Sequence, residues 1–272
     1  MKCFARLVLA ASAAALAIGA RTASAGETAC WFEGAQLVAA ASVHGIAGDY
    51  IIDTGTARTQ LHDTRTQGAG LSTPEDTAVE LRGEVRFAGL RRTGQTIEVA
   101  DLDARSVAMP TPIAGVIGAD VLSHYVVDIR FAPCRLAVWR TREAPAVHAG
   151  LVVPLRRMGG RPAAEAAVSD GTRARRGRFI LATGQDLAVR LDEHNAQVPS
   201  ATDPKELYPG GIGAARLSEL SFAGDLIAEL LAGLLLAEAV PHGVEGVIGA
   251  PVLAGHAWRF DFPHGRLLML ED

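Results

Sequence analysis

Residues 50–61 read YIIDTGTARTQL. Tyr50, Ile51 and Ile52 run straight into Asp53, and Thr54, Gly55 and Thr56 follow before polarity resumes. A short apolar run of this kind reads as a buried β-strand, and Gly55 reads as the tight turn that ends it. A carboxylate at the end of such a strand needs a reason, because an unpaired charge is costly to bury. The phrase returns at 179–191 as FILATGQDLAVRL, with Ala182 in the place of the carboxylate.

The recurrence extends beyond that phrase. GVIGADVLSHYVVDIRFAPCRLAVW (115–139) aligns without a gap with GVIGAPVLAGHAWRFDFPHGRLLML (246–270), and about 10 of 25 positions are identical. RFAGL (86–90) likewise matches SFAGD (221–225). The matched phrases keep one order, and roughly 65 residues separate the TG phrase from the VIG phrase each time, the mark of an internal repeat. The chain therefore reads as two copies of one lobe, 26–139 and 151–272. The polar stretch RTREAPAVHAG (140–150), with Pro145 and no periodicity, joins them.

Each copy reads mostly as short β-runs bounded by Gly, Asp and Arg. Ala132-Pro133 and Pro263-His264-Gly265 mark hairpin turns, and GADVL and GAPVL each predict a short helix after a glycine. LIAELLAGLLLAEAV (226–240) has a helical composition but stands where the first copy has a strand, and both assignments stay open. Asp101 and Asp103 read as part of a solvated loop, with contact to a divalent ion as the alternative.

Composition narrows the function classes. The 272 residues are 49% apolar and 21% charged, with a net charge of −4, which suits a packed globular chain. Basic residues cluster only briefly, as at Arg173, Arg175 and Arg176, so nucleic acid is not an expected partner. Residues 1–25 read as an export signal: Lys2 and Arg6, the apolar LVLAASAAALAIGA, then Ala23-Ser24-Ala25 as a cleavage site. The expected location is periplasmic or secreted, an N-terminal membrane anchor being the alternative. No later stretch reaches the roughly 18 uninterrupted apolar residues of a spanning helix, so no stable membrane span is expected.

Cys30 and Cys134 follow that leader. In an oxidising compartment an even pair predicts a disulfide, with two unrelated thiols as the alternative. Neither cysteine has metal-site spacing, and no His pair flanks a Glu at i, i+4. Gly210-Gly211-Ile212-Gly213 lacks the Lys-Ser/Thr of a phosphate loop, and no G-x-S-x-G elbow occurs. No metal or cofactor is expected.

A hydrophobic pair, then Asp-Thr-Gly, then later two hydrophobics and a Gly, resembles the retropepsin-like and pepsin-like aspartic peptidases. Here IIDTGTARTQL and GVIGADVL carry the likeness, and both phrases recur in the second copy. PGGIGAARL (209–217) also resembles a glycine-rich flap. The resemblance implies an all-β, bilobed fold of two retropepsin-like β-barrel lobes, each with a short helix. It makes Asp53 the catalytic carboxylate. It makes Thr54 and Thr183 partners across the lobe interface, Gly55 and Gly184 the turns of two facing loops, and Thr56 a donor to the outer oxygen of Asp53.

The reaction implied by the resemblance uses two carboxylates that share a proton: one activates a water and the other polarises the scissile carbonyl. Ala182 departs from that pattern, and Asp186 is the nearest substitute acid. The resemblance thus implies an aspartic-type endopeptidase acting on peptides, with Asp53 its one remaining dyad carboxylate. The alternative is a non-catalytic peptide-binding pseudopeptidase that takes an extended peptide by strand addition. A structural protein that kept the fold is a third reading. The expected partner is a peptide or protein. A chain carrying both lobes is expected to act as a monomer.

Overall fold

Tyr50, Ile51 and Ile52 have no exposed surface, so the strand that delivers Asp53 is buried where it ends. The computed structural model describes residues 26–76, 79–107, 109–169, 174–192, 214–236 and 240–271. The leader (1–25) and residues 209–213 of the flap-like phrase lie outside the described residues.

The first half runs β1 (Glu27–Thr28), β2 (Cys30–Glu33), β3 (Gln36–Val43), β4 (Ile46–Ile52), β5 (Gln60–His62), α1 (Asp63–Gly68), β6 (Glu80–Phe87), β7 (Leu90–Ala100), α2 (Asp103–Ser106), β8 (Gly115–Ile117), α3 (Ala119–Leu122), β9 (Val126–Phe131) and β10 (Cys134–Trp139). The second runs β11 (Ala149–Met158), β12 (Arg161–Ser169), β13 (Ala174–Leu181), β14 (Val189–Asp192), β15 (Ala214–Phe222), β16 (Asp225–Leu236), β17 (Gly246–Ile248), α4 (Ala250–Leu253), β18 (Ala257–Asp261) and β19 (Arg266–Leu270). The fold is mainly β and bilobed. Among the described residues no helix is long and apolar enough to cross a membrane.

Strands β2-β3-β4-β8-β5-β7-β6 form a seven-stranded sheet, curled so that β3 also pairs with β6. A twelve-stranded sheet takes the rest, in the order β1-β10-β9-β18-β19-β11-β12-β13-β17-β14-β16-β15, with β12 also pairing with β15. The pairings match between halves. Strand β4 lies parallel to β8, with Ile52 opposite Ile117, and β13 lies parallel to β17, with Leu181 opposite Ile248. The glycines that follow these strands are required by close approach. A Cβ on Gly118 would lie 2.6 Å from the Arg58 carbonyl carbon, and one on Gly249 would lie 1.8 Å from the Leu187 oxygen.

Residues 225–236 form a strand, which settles the ambiguous stretch from Leu226 to Leu236. Strand β16 pairs antiparallel with β15 and parallel with β14, so ladder hydrogen bonds on both edges override its helical composition. The first half also holds two short helices, α1 and α2, beyond the one after Gly118.

Antiparallel pairing of β9 with β18 joins the halves, and one apolar cluster runs through both. At that seam Arg259 is almost fully buried and grips Asp128 with two bonds, Nε to Oδ1 at 2.5 Å and Nη2 to Oδ2 at 2.7 Å. Trp139 Nε1 donates to Asp128, and Arg259 Nη1 donates to the Pro145 carbonyl, so further bonds satisfy both charges.

Cys30 and Cys134 are joined by a disulfide, with Cα atoms 5.6 Å apart. It ties β2 of the smaller sheet to β10 of the larger, across 104 residues of sequence. Loop closure on this scale restricts the unfolded chain strongly. Replacing both cysteines with Ser is expected to lower unfolding free energy by up to about 4–5 kcal/mol, measured by denaturant melts without reductant.

Buried Asp261 predicts an acid limb. Burial pushes its carboxyl up, but donation from Arg266 and His264 outweighs this and holds it below its ordinary value. A depressed carboxyl stabilises the fold above its unfolded pKa, about 4, and that contribution fades as pH falls through the folded value. Asp261→Asn is therefore expected to be less stable than the parent at neutral pH. The gap should narrow in melts taken progressively below about pH 4.

Candidate functional site

Two loops meet where β4 and β13 end. Each is tied to the VIG strand beside it: Asp53 N donates to Ile117 O at 3.0 Å, and Ala182 N to Ile248 O at 2.9 Å. Thr54 and Thr183 then bind each other reciprocally. Thr54 N donates to Thr183 Oγ1 at 3.1 Å, and Thr183 N to Thr54 Oγ1 at 3.3 Å. The hydroxyls donate onward across the interface, Thr54 to Leu181 O and Thr183 to Ile52 O, both at 2.6 Å. Both threonines are fully buried, so each hydroxyl has a partner for its donor and its acceptor role where water cannot serve.

This lock leaves no room for side chains on the turns. A Cβ on Gly55 would stand 2.3 Å from Ala182 Cβ, and one on Gly184 would stand 2.6 Å from Asp53 Cβ. The two glycines therefore let the loops touch, and Asp53 and Ala182 occupy corresponding places on either side of the contact.

Asp53 is 0% exposed, yet its carboxylate is fully hydrogen-bonded. Oδ1 accepts from Gly55 N at 2.8 Å and from Gly184 N at 3.2 Å. Oδ2 accepts from Thr56 Oγ1 at 2.8 Å and from Arg105 Nη2 at 2.9 Å. A carboxylate has about four lone-pair sites, and all four are used. Ala182, also fully exposed to no solvent, packs with Ala163, Ile180, Val244 and Val247 and brings no polar atom.

Sequence reasoning missed Arg105. It sits on α2, whose distance from Asp53 in sequence gives no hint of contact. Its Nη2 also donates to Gly184 O at 2.6 Å, and Nη1 to Thr56 Oγ1 at 3.2 Å. One guanidinium thus bridges both loops. The helix is itself held from below. His62 Nε2 lies 3.3 Å from Asp103 Oδ1, and Gln36 Nε2 donates to Arg105 O at 3.3 Å. Asp103 is therefore an exposed acid with a buried partner, where the sequence suggested a solvated loop. Asp186 lies 3.7 Å from Arg190 of β14 and forms an ion pair with it. Among the described residues no group of three or more His, Cys, Asp or Glu is arranged to hold a metal.

No family model matches the chain, and no curated protein does. Among solved structures it is similar to an aspartic proteinase from Irpex lacteus, with a TM-score of 0.54 and 13% identity over 91% of this chain and 98% of that one. At this identity the likeness is one of fold: mainly β, bilobed and aspartic-peptidase-like.

The ion pair at the loops makes a stability prediction. Arg105→Met leaves a buried carboxylate without its cation and is expected to cost about 2–4 kcal/mol, scaled down from a fully buried pair because the Arg105 side chain is 22% exposed. Asp53→Asn combined with Arg105→Met should cost less than Arg105→Met alone in the same melts, because no charge is then stranded and the amide oxygen still accepts from the Gly55 and Gly184 N–H groups.

Proposed function

We propose that this protein is an exported, catalytically silent pseudopeptidase whose cleft binds an extended peptide or protein segment without cutting it. The observation that carries this reading is the Arg105 guanidinium on the outer oxygen of Asp53, 2.9 Å away, with a methyl group at Ala182 in the corresponding place. Two repeated lobes, one from each copy of the sequence pattern, supply the two sides of the cleft.

The chemistry fails at each requirement of a shared dyad. A general base must accept a proton from water, but every lone-pair site of Asp53 already has a donor. A general acid must offer a proton to the scissile carbonyl. Ala182 has none, and an arginine does not give one up at working pH. A carboxylate neutralised by a fixed cation also loses the competition for one proton that gives a dyad its two roles. Loss of acid–base assistance is worth ~10²–10⁴-fold in rate.

The fold supports the peptide-binding half of the reading. A bilobed cleft of this architecture accommodates an extended chain, and extended chains are recognised through main-chain hydrogen bonds and alternating side-chain pockets.

Peptide cleavage between about pH 3 and 7 tests this directly, because general acid–base groups work best with pKa values near the operating pH. The unaltered protein is expected to bind an unstructured peptide library and return it intact. Ala182→Asp alone is expected to stay inert, since Arg105 still holds Asp53. Ala182→Asp with Arg105→Ala is expected to gain measurable cleavage. Cleavage by the unaltered protein that disappears in Asp53→Asn would overturn the proposal.

A further inference from the structure

A small pocket, distinct in its lining from the Asp53 contacts, opens where the two halves meet. Its volume is about 140 Å³, and Ser123, Arg156, Arg157, Gly160, Phe262 and Gly265 contribute to its walls. Drug-sized ligands occupy roughly 300–1,000 Å³, so this space suits a group of a few atoms. Three observations indicate its chemistry.

First, Ser123 Oγ is buried and has no hydrogen-bond partner among the described residues. A buried hydroxyl normally has one, so an unmet donor facing a pocket is an opening for a ligand acceptor. Second, Arg156 and Arg157, adjacent on β11, form no ion pair with an acid among the described residues. Third, the surroundings are electropositive. Burial, Arg92 and Arg157 together push the neighbouring His124 imidazole below its ordinary value, with Asp120 opposing them weakly.

The nearby carboxylates are already committed. Asp120 accepts from Thr59 at 2.8 Å and Gln95 at 2.7 Å, and Asp261 is held by Arg266 and His264. None is free to neutralise the two arginines.

We propose that this pocket binds a phosphate-sized oxyanion, with the Ser123 hydroxyl and the Arg157 guanidinium group as donors and Arg156, on the opposite face of the strand, adding only to the local positive charge. Arginine forks match the oxygens of such an anion, and charge-assisted bonds of this kind are roughly twice as strong as neutral ones. The site also bears on the cleft. Ser123 directly follows α3, whose first two residues are tied to the Asp53 loop: Ala119 N donates to Thr56 O at 2.8 Å, and Asp120 N to Ala57 O at 3.2 Å.

Inorganic phosphate and O-phosphoserine, titrated into the full chain against chloride at matched ionic strength, test the assignment by calorimetry and thermal shift. Phosphate is expected to bind saturably and raise the melting temperature. Binding of phosphoserine as well identifies the terminal phosphate of a larger ligand; binding of phosphate alone identifies the free ion. Arg157→Met and Ser123→Ala are each expected to weaken binding at least tenfold. Without phosphate, Ser123→Ala should melt no lower than the parent, because it removes an unsatisfied buried hydroxyl, and this separates lost binding from damaged folding. No response beyond that to chloride, or undiminished binding by both variants, would overturn the proposal.

Discussion

Asp53 has no exposed surface, and its carboxylate meets four donors drawn from three separate stretches of chain. Gly55 and Thr56 belong to its own loop, Gly184 to the facing loop, and Arg105 to a helix between β7 and β8. Satisfying that one anion therefore fixes the distance between the loops and the seat of α2. It also explains why His62 and Gln36, both nearly buried, are spent on holding α2 in place. Where a shared proton would balance two facing carboxylates, a fixed cation balances one.

The seam between the halves shows how facing positions solve a common problem. Thr54 faces Thr183, and Asp128 faces Arg259, each pair occupying matched places in the two copies of the sequence pattern. A threonine can bind its counterpart because it carries both a donor and an acceptor. Two like charges at the second contact would repel, and the chain carries opposite charges there instead. Asp53 and Ala182 form the third facing pair. Two acids there would have to share a proton, and with Ala on one side that repulsion does not arise.

Much of this was readable from the sequence because it is local. The strand before Asp53, the tight glycine turns, the glycine after each VI strand and the short helix that follows all come from neighbouring residues. The cysteine pair was readable from count and context. Other features depend on tertiary placement. Leu226–Leu236 has a helical composition, yet it becomes a strand because β14 and β15 offer it both edges. Arg105 lies 52 residues from Asp53 and 79 from Gly184 along the chain, within a stretch that looks like any polar loop. An apolar Ala182 facing Asp53 signals that a buried carboxylate needs another partner, but it does not say where that partner lies.

The proposed silence of the site depends on Arg105 occupying Asp53 in preference to a substrate-like group. A crystal structure of the protein grown with a statine-type inhibitor, whose hydroxyl mimics the tetrahedral intermediate, tests this most directly. The predicted result is an Arg105 guanidinium still within hydrogen-bond distance of the outer Asp53 oxygen, with no inhibitor hydroxyl on the carboxylate. A statine hydroxyl seated on Asp53, with Arg105 swung away, would contradict it.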